Sequence, residues 1–210
     1  VNNIKRVLVL APHPDDGEFG CGGSLHKLTQ TGAEVYYVAF SPCNKSLPAG
    51  MEKNGIYNEL KNAVPKLGIK EENLTMFEYP VRDFPEYRQA ILEDLIKLRN
   101  SINPDLVFLP NSDDVHQDHH QIYLEGRRAF KFHRMLGYEL PWNSTHFLAN
   151  FHIALNDANL EAKIDALQSY KSQGSRYYMS ADFLKSLAVV RGVQSGSKYA
   201  EAFTAIRWKL

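Results

Sequence analysis

The chain is poor in sulfur, with two cysteines, Cys21 and Cys43, in 210 residues. That is too few for a disulfide framework and reads as free thiols buried in a reducing compartment. Net charge is also missing, because 24 Lys+Arg balance 24 Asp+Glu. Nothing in this balance steers the chain towards nucleic acid or an acidic membrane. No run approaches the roughly 18–20 apolar residues of a membrane span. The apolar run 7–11 that follows Lys5 and Arg6 is too short for the core of a signal peptide. Linkers, repeats and low-complexity tracts are absent as well. The expectation is a cytoplasmic protein with no nucleic-acid or membrane partner; even charge leaves assembly into a homo-oligomer open.

What is present is a globular composition, 44% hydrophobic and 23% charged, at a length that suits one domain over residues 1–210. The run 7–11, closed by Pro12, suits a strand buried on both faces. A glycine-rich turn is expected over 17–23, then a helix over 24–29 and a strand over 34–40, which together make a βαβ unit. The alternation continues with a helix over 56–67, a strand over 74–79, an amphipathic helix over 87–102 and a buried strand over 105–109. Further on, helices are expected over 121–132, 160–170 and 181–190, and strands over 147–155 and 202–208. This pattern predicts an α/β, Rossmann-like fold with a mostly parallel sheet flanked by helices. Ligands of such sheets bind at the carboxyl ends of the strands.

Two polar clusters fall at such ends. His13-Pro14-Asp15-Asp16-Gly17-Glu18 follows the first strand, and the segment from Asn111 to His120 follows the fourth. If the two strands are neighbours, the clusters share a crevice rich in imidazoles and carboxylates, the ligand types of a hydrolytic zinc. Catalytic zinc takes three protein ligands and leaves one position open, so two residues from the first cluster and one from the second would suffice. Pro14 stiffens the turn that separates His13 from Asp16. A further carboxylate beside the ligands would serve as general base.

With these residues the chain resembles the LmbE-like, or PIG-L-like, N-acetylglucosamine deacetylases along nearly its whole length. The resemblance rests on His13 to Glu18, on Gly20-Cys21-Gly22-Gly23, and on His116-Gln117-Asp118-His119. Weaker matches run from Lys163 to Gln173 and from Tyr199 to Phe203. The resemblance implies Zn2+ held by His13, Asp16 and His119, with Asp15 as general base. It implies that a protonated His116 supports the transition state, that Asp118 orients an imidazole, and that Tyr199 approaches the substrate carbonyl. The substrate would be a small N-acetylated amino-sugar conjugate, hydrolysed to acetate and an amine.

Blander readings stand beside these. Asp15 and Asp16 could cap a helix, Asp113 and Asp114 read as loop and cap residues, and His120 as a surface residue. His26, His133, His146 and His152 read as structural. Trp142 and Arg82 fall in loops where the fold puts site walls, and Arg82 is a candidate substrate contact. One departure from the family pattern stands out: Ile56 occupies the position where many relatives carry a substrate-binding Arg, three residues before Glu59. Arg82 or Arg176 could take its place. The rival class is a Rossmann-like metal- or ligand-binding protein without hydrolase activity.

Overall fold

Alternate residues of the first strand face opposite layers of the molecule, which is why its apolar run is unbroken. The computed structural model describes residues 4–209. In chain order the elements are β1 (Arg6–Ala11), α1 (Asp16–Gln30), β2 (Glu34–Ala39), α2 (Gly55–Ala63), β3 (Leu74–Met76), α3 (Arg88–Ile102) and β4 (Leu106–Pro110). There follow α4 (Gln117–Ala129), β5 (Arg134–Tyr138), β6 (Phe151–Leu155), α5 (Asp157–Leu167), α6 (Ala181–Ser195) and β7 (Tyr199–Arg207). One seven-stranded sheet has the order β3-β2-β1-β4-β5-β7-β6. Strands β1 to β5 pair in parallel, and β7 runs antiparallel to both of its neighbours. Val7, Val9, Ala11, Tyr37 and Phe108 pack into one core layer with Phe19 and Leu25 of α1, Leu60 of α2 and Leu167 of α5. Leu8, Leu10, Val107 and Leu109 pack on the other face against Ile91, Leu95 and Ile122 of α3 and α4. Among the described residues no helix is long and apolar enough to cross a membrane.

The expected glycine turn at 17–23 is instead helical, because α1 begins at Asp16. Each glycine in a helix costs about 1 kcal/mol against alanine, so the packing must require them. A Cβ on Gly20 would stand 2.4 Å from the Tyr138 ring, and one on Gly23 would stand 2.5 Å from Leu155. The glycines therefore let α1 lie close against the sheet. Strand β5 was not expected; at five residues, with Gly137 inside it, it carries little pattern of its own. The helix expected from 121 starts at Gln117, where the His116 ring accepts a capping bond from the Asp118 amide. The 56–67 helix gives way at Val64 to a 3-10 turn that contains Pro65.

Candidate metal centre and active-site cavity

Strands β1 and β4 are parallel neighbours, with Val7, Leu8 and Val9 opposite Leu106, Val107 and Phe108. From β1 the chain goes to β2 on one side, whereas β4 and β5 lie on the other. This reversal is the switch point at which such sheets bind ligands. Both polar clusters open there.

The turn after β1 is closed by its own motif, because the His13 amide donates to Asp16 Oδ2 at 2.9 Å. Asp15 has φ 84° and ψ −27°, a left-handed conformation that non-glycine residues adopt at a cost of order 1–3 kcal/mol. It holds the N-cap position of α1, yet its carboxylate makes no capping bond. The capping reading therefore does not account for Asp15.

Three donor atoms converge in front of this turn. His13 Nδ1 lies 3.1 Å from His119 Nε2, Asp16 Oδ2 lies 3.2 Å from His119 Nε2, and His13 Nδ1 lies 3.5 Å from Asp16 Oδ2. Ligands at about 2.0–2.1 Å around a tetrahedral zinc stand about 3.3 Å apart, so this triangle has the size of such a site. The far nitrogen of each ring meets a carboxylate: His13 Nε2 meets Asp118 Oδ2 at 2.8 Å, and His119 Nδ1 meets Asp114 Oδ2 at 2.7 Å. A carboxylate only accepts, so each of these nitrogens carries the hydrogen, and in neutral rings the two that face each other present lone pairs. Three lone-pair donors pressed together call for a cation. His116 also offers a nitrogen, and one ligand atom from each of His13, His116 and His119 lies within 4.8 Å of the others. The set with Asp16 is the tighter one.

The charges agree with this geometry. Burial alone would raise the Asp16 and Asp118 carboxyls, but the imidazoles beside them (chiefly His119 for Asp16 and His13 for Asp118) hold both below their usual range. Burial would lower His119, yet Asp16 and Asp114 raise it to about 10 in the metal-free protein. Asp15 stands well above the usual carboxyl range through burial, reinforced by the charges of Asp16 and Glu18. His116 is lowered to about 4 by burial and by the neighbouring His119 and His13. In the metal-free protein this ring is therefore uncharged near neutral pH. Its Nδ1 accepts the Asp118 amide at 3.2 Å, so the neutral ring keeps its hydrogen on Nε2.

A cavity of about 250 Å³ opens above the donors, and its lining includes Asp15, His116, Ile56, Gln173 and Arg176. Trp142 and Tyr178 also line it, stacked at 3.7 Å with their planes 12° apart. Two sequence candidates lie elsewhere. Tyr199 is buried against Leu155, Leu160 and Ala188 and is not in the lining. Arg82 donates its guanidinium to the Lys45 carbonyl at 3.2 Å, while its backbone amide donates to Asp118 Oδ2 at 2.6 Å. Its backbone, rather than its charge, serves the site. Asp114, read from sequence as a loop or cap residue, is the partner of His119; no spacing rule marked it, because the pairing depends on how the loop after β4 folds back.

The PIG-L family model, described as GlcNAc-PI de-N-acetylase, matches residues 8–130, which span both histidine clusters. The chain belongs to the PIG-L family. Its relatives include the "uncharacterized deacetylase YaiS" of Escherichia coli strain K12, 30% identical over 178 residues that cover 81% of this chain and 93% of that protein. Another is the diacetylchitobiose deacetylase of Thermococcus kodakarensis, 24% identical over a 226-residue alignment that covers 95% of this chain and 82% of that one. The solved N,N'-diacetylchitobiose deacetylase from Pyrococcus horikoshii, complexed with its inhibitor MPG, superposes with a TM-score of 0.78. At 21% identity, over 98% of this chain and 85% of that one, the superposition establishes the shared fold.

In this PIG-L chain the two weaker sequence segments, which lie beyond the matched region, meet behind the site. Lys163 Nζ reaches Glu201 Oε1 at 2.6 Å, both side chains buried. Glu201 also accepts the Gly23 and Ser24 amides at 3.0 and 2.7 Å. The Tyr170 hydroxyl donates to Glu18 Oε1 at 2.6 Å, and Tyr37 donates to its other oxygen. Glu59, beyond Ile56, accepts the Ser172 amide and hydroxyl at 2.9 and 2.5 Å. The segment from Tyr199 to Phe203 therefore acts on the site through Glu201, which braces α1.

Proposed function

We propose that this chain is a zinc-dependent N-deacetylase that removes the acetyl group from an N-acetylglucosamine-type conjugate. The observation that carries the reading is the triangle of His13 Nδ1, Asp16 Oδ2 and His119 Nε2, with edges of 3.1 to 3.5 Å. It has a carboxylate behind each ring and Asp15 beside it on the cavity wall. Two imidazoles and one carboxylate are a ligand set of hydrolytic zinc, with a position left for water. The family description and the names of the deacetylase relatives support the amide and the amino sugar. The balanced charge and the two free thiols support a cytoplasmic setting.

When bound, zinc supplies Lewis acidity, which acidifies water and polarises a carbonyl. The rest is done by side chains. The Asp15 carboxylate, on the cavity wall and raised by burial and by the charges of Asp16 and Glu18, takes a proton from the attacking water at its oxygen. The hydrogen on His116 Nε2 is directed to the oxygen that gains charge as the carbonyl is attacked. Asp15 then returns its proton to the departing nitrogen, so that water and amide leave as acetate and amine. Asp118 and Asp114 keep both ligating rings in the required tautomer. The stacked Trp142 and Tyr178 offer a flat apolar wall to a sugar ring.

The test is metal analysis of the purified protein, followed by assay of free-amine release from a broad panel of N-acetylglucosamine conjugates. Stoichiometric zinc with amine release supports the proposal. Stoichiometric zinc with no release from any conjugate would leave the metal-binding protein without hydrolase activity as the better reading.

A further inference from the structure

We propose that Arg176 forms a subsite for an anionic group on the substrate, so that the enzyme prefers sugar conjugates bearing a carboxylate or phosphate to neutral ones. The inference rests on the deacetylase reading above and specifies its substrate class. Among the described residues, Arg176 is the one guanidinium or ammonium that lines the cavity. Arg88, Arg128 and Arg191 are each paired with a carboxylate, but among the described residues Arg176 has no ion pair within 4.0 Å. Its main chain is fixed by a tight turn, its amide donating to the Gln173 carbonyl and its carbonyl accepting from Met179, both at 3.0 Å. The guanidinium carbon lies 5.8 Å from the centre of the Tyr178 ring, which stacks on Trp142. Charge and aromatic surface thus form one continuous wall.

Neither Ile56 nor Arg82 supplies this function. Ile56 is apolar and buried, and the Arg82 guanidinium is engaged with the Lys45 carbonyl. A planar fork of donors matches a carboxylate or phosphate bidentately and outcompetes a lysine in that task. The rival role is compensation of the Asp15 charge, which the Arg176 cation also feels. The two roles separate by substrate, because compensation acts on every substrate alike and a subsite only on those with an anion.

The experiment compares kcat/KM of the zinc-loaded enzyme for methyl N-acetylglucosaminide, its carboxymethyl glycoside counterpart and N-acetylglucosamine 1-phosphate. The wild type is expected to favour at least one anionic compound by about tenfold or more, the worth of one charge-assisted contact. Arg176→Gln is expected to bring that ratio near one, and Arg176→Lys to restore part of it. The anion with the larger ratio identifies carboxylate or phosphate as the cognate group. A wild-type ratio near one, or an Arg176→Gln loss equal for all three compounds, overturns the proposal. If the wild type releases amine from none of them, the broad panel above decides the deacetylase reading. The same preference is then measured as calorimetric dissociation constants, and equal constants for neutral and anionic compounds overturn the subsite.

Discussion

His13 Nδ1 and His119 Nε2 face each other at 3.1 Å, and two neutral rings would have no hydrogen left to join them, because each commits its own to a carboxylate behind it. In the metal-free protein a proton on His119 relieves the conflict. A bound zinc would take that place.

Asp15 lies beside the triangle without belonging to it. Asp15→Asn is expected to retain zinc at full stoichiometry while kcat falls by about 10²–10⁴, the range for loss of a general base. Metal analysis and steady-state rates on the same preparation check this. Wild-type turnover in the variant would remove Asp15 from the mechanism.

Asp114 would act on a bound metal only through His119, which it meets at 2.7 Å. Asp114→Asn is expected to weaken zinc binding by about 10–100-fold, as loss of a partner behind a ligating histidine does. His119→Ala is expected to weaken it further. Competition against a chromogenic chelator reads both, and an unchanged affinity in Asp114→Asn would show that the loop does not tune the metal.

The His119 proton gives metal binding a sign with pH. In the metal-free protein this ring titrates at about 10, since Asp16 and Asp114 overcome the effect of burial. At neutral pH it is protonated, and zinc must displace that proton. Affinity is therefore expected to rise with pH until the free ring has titrated, and about one proton should be released per zinc at pH 7. Calorimetry in buffers of different ionisation enthalpy measures the release; none would contradict the arrangement.

Lys163 and Glu201 are a buried pair 2.6 Å apart. Removing one partner leaves a buried charge, so Lys163→Met is expected to cost about 3–5 kcal/mol. The double variant Lys163→Met with Glu201→Gln should lose less than the single one. Urea denaturation of the four proteins in the cycle decides this, and strict additivity would mean that the contact carries no coupling.

The sheet was legible wherever a strand is buried on both faces. The runs ending at Ala11 and Leu109 have no polar interruption because each face meets a helix layer. Short β5 gave no such signal, and the helical state of Gly17 to Gly23 was hidden because propensity argues against it. Only the ring of Tyr138 and the side chain of Leu155 explain why Gly20 and Gly23 are there.

The order of residues along the chain set the chemistry available. It put His13, Asp15 and Asp16 in one rigid turn and His116, Asp118 and His119 at the head of one helix, each after a buried strand. Local spacing can do that much, because a turn or a helix start fixes its own side chains. Tertiary structure decided which of these groups face one another, through the parallel pairing of β1 with β4. It made Asp114 the partner of His119 and left His116 neutral. It also placed Arg176, not Arg82 or Tyr199, on the cavity wall with Ile56. Those outcomes depend on how the loops fold back and how the strands pair, which no local pattern records.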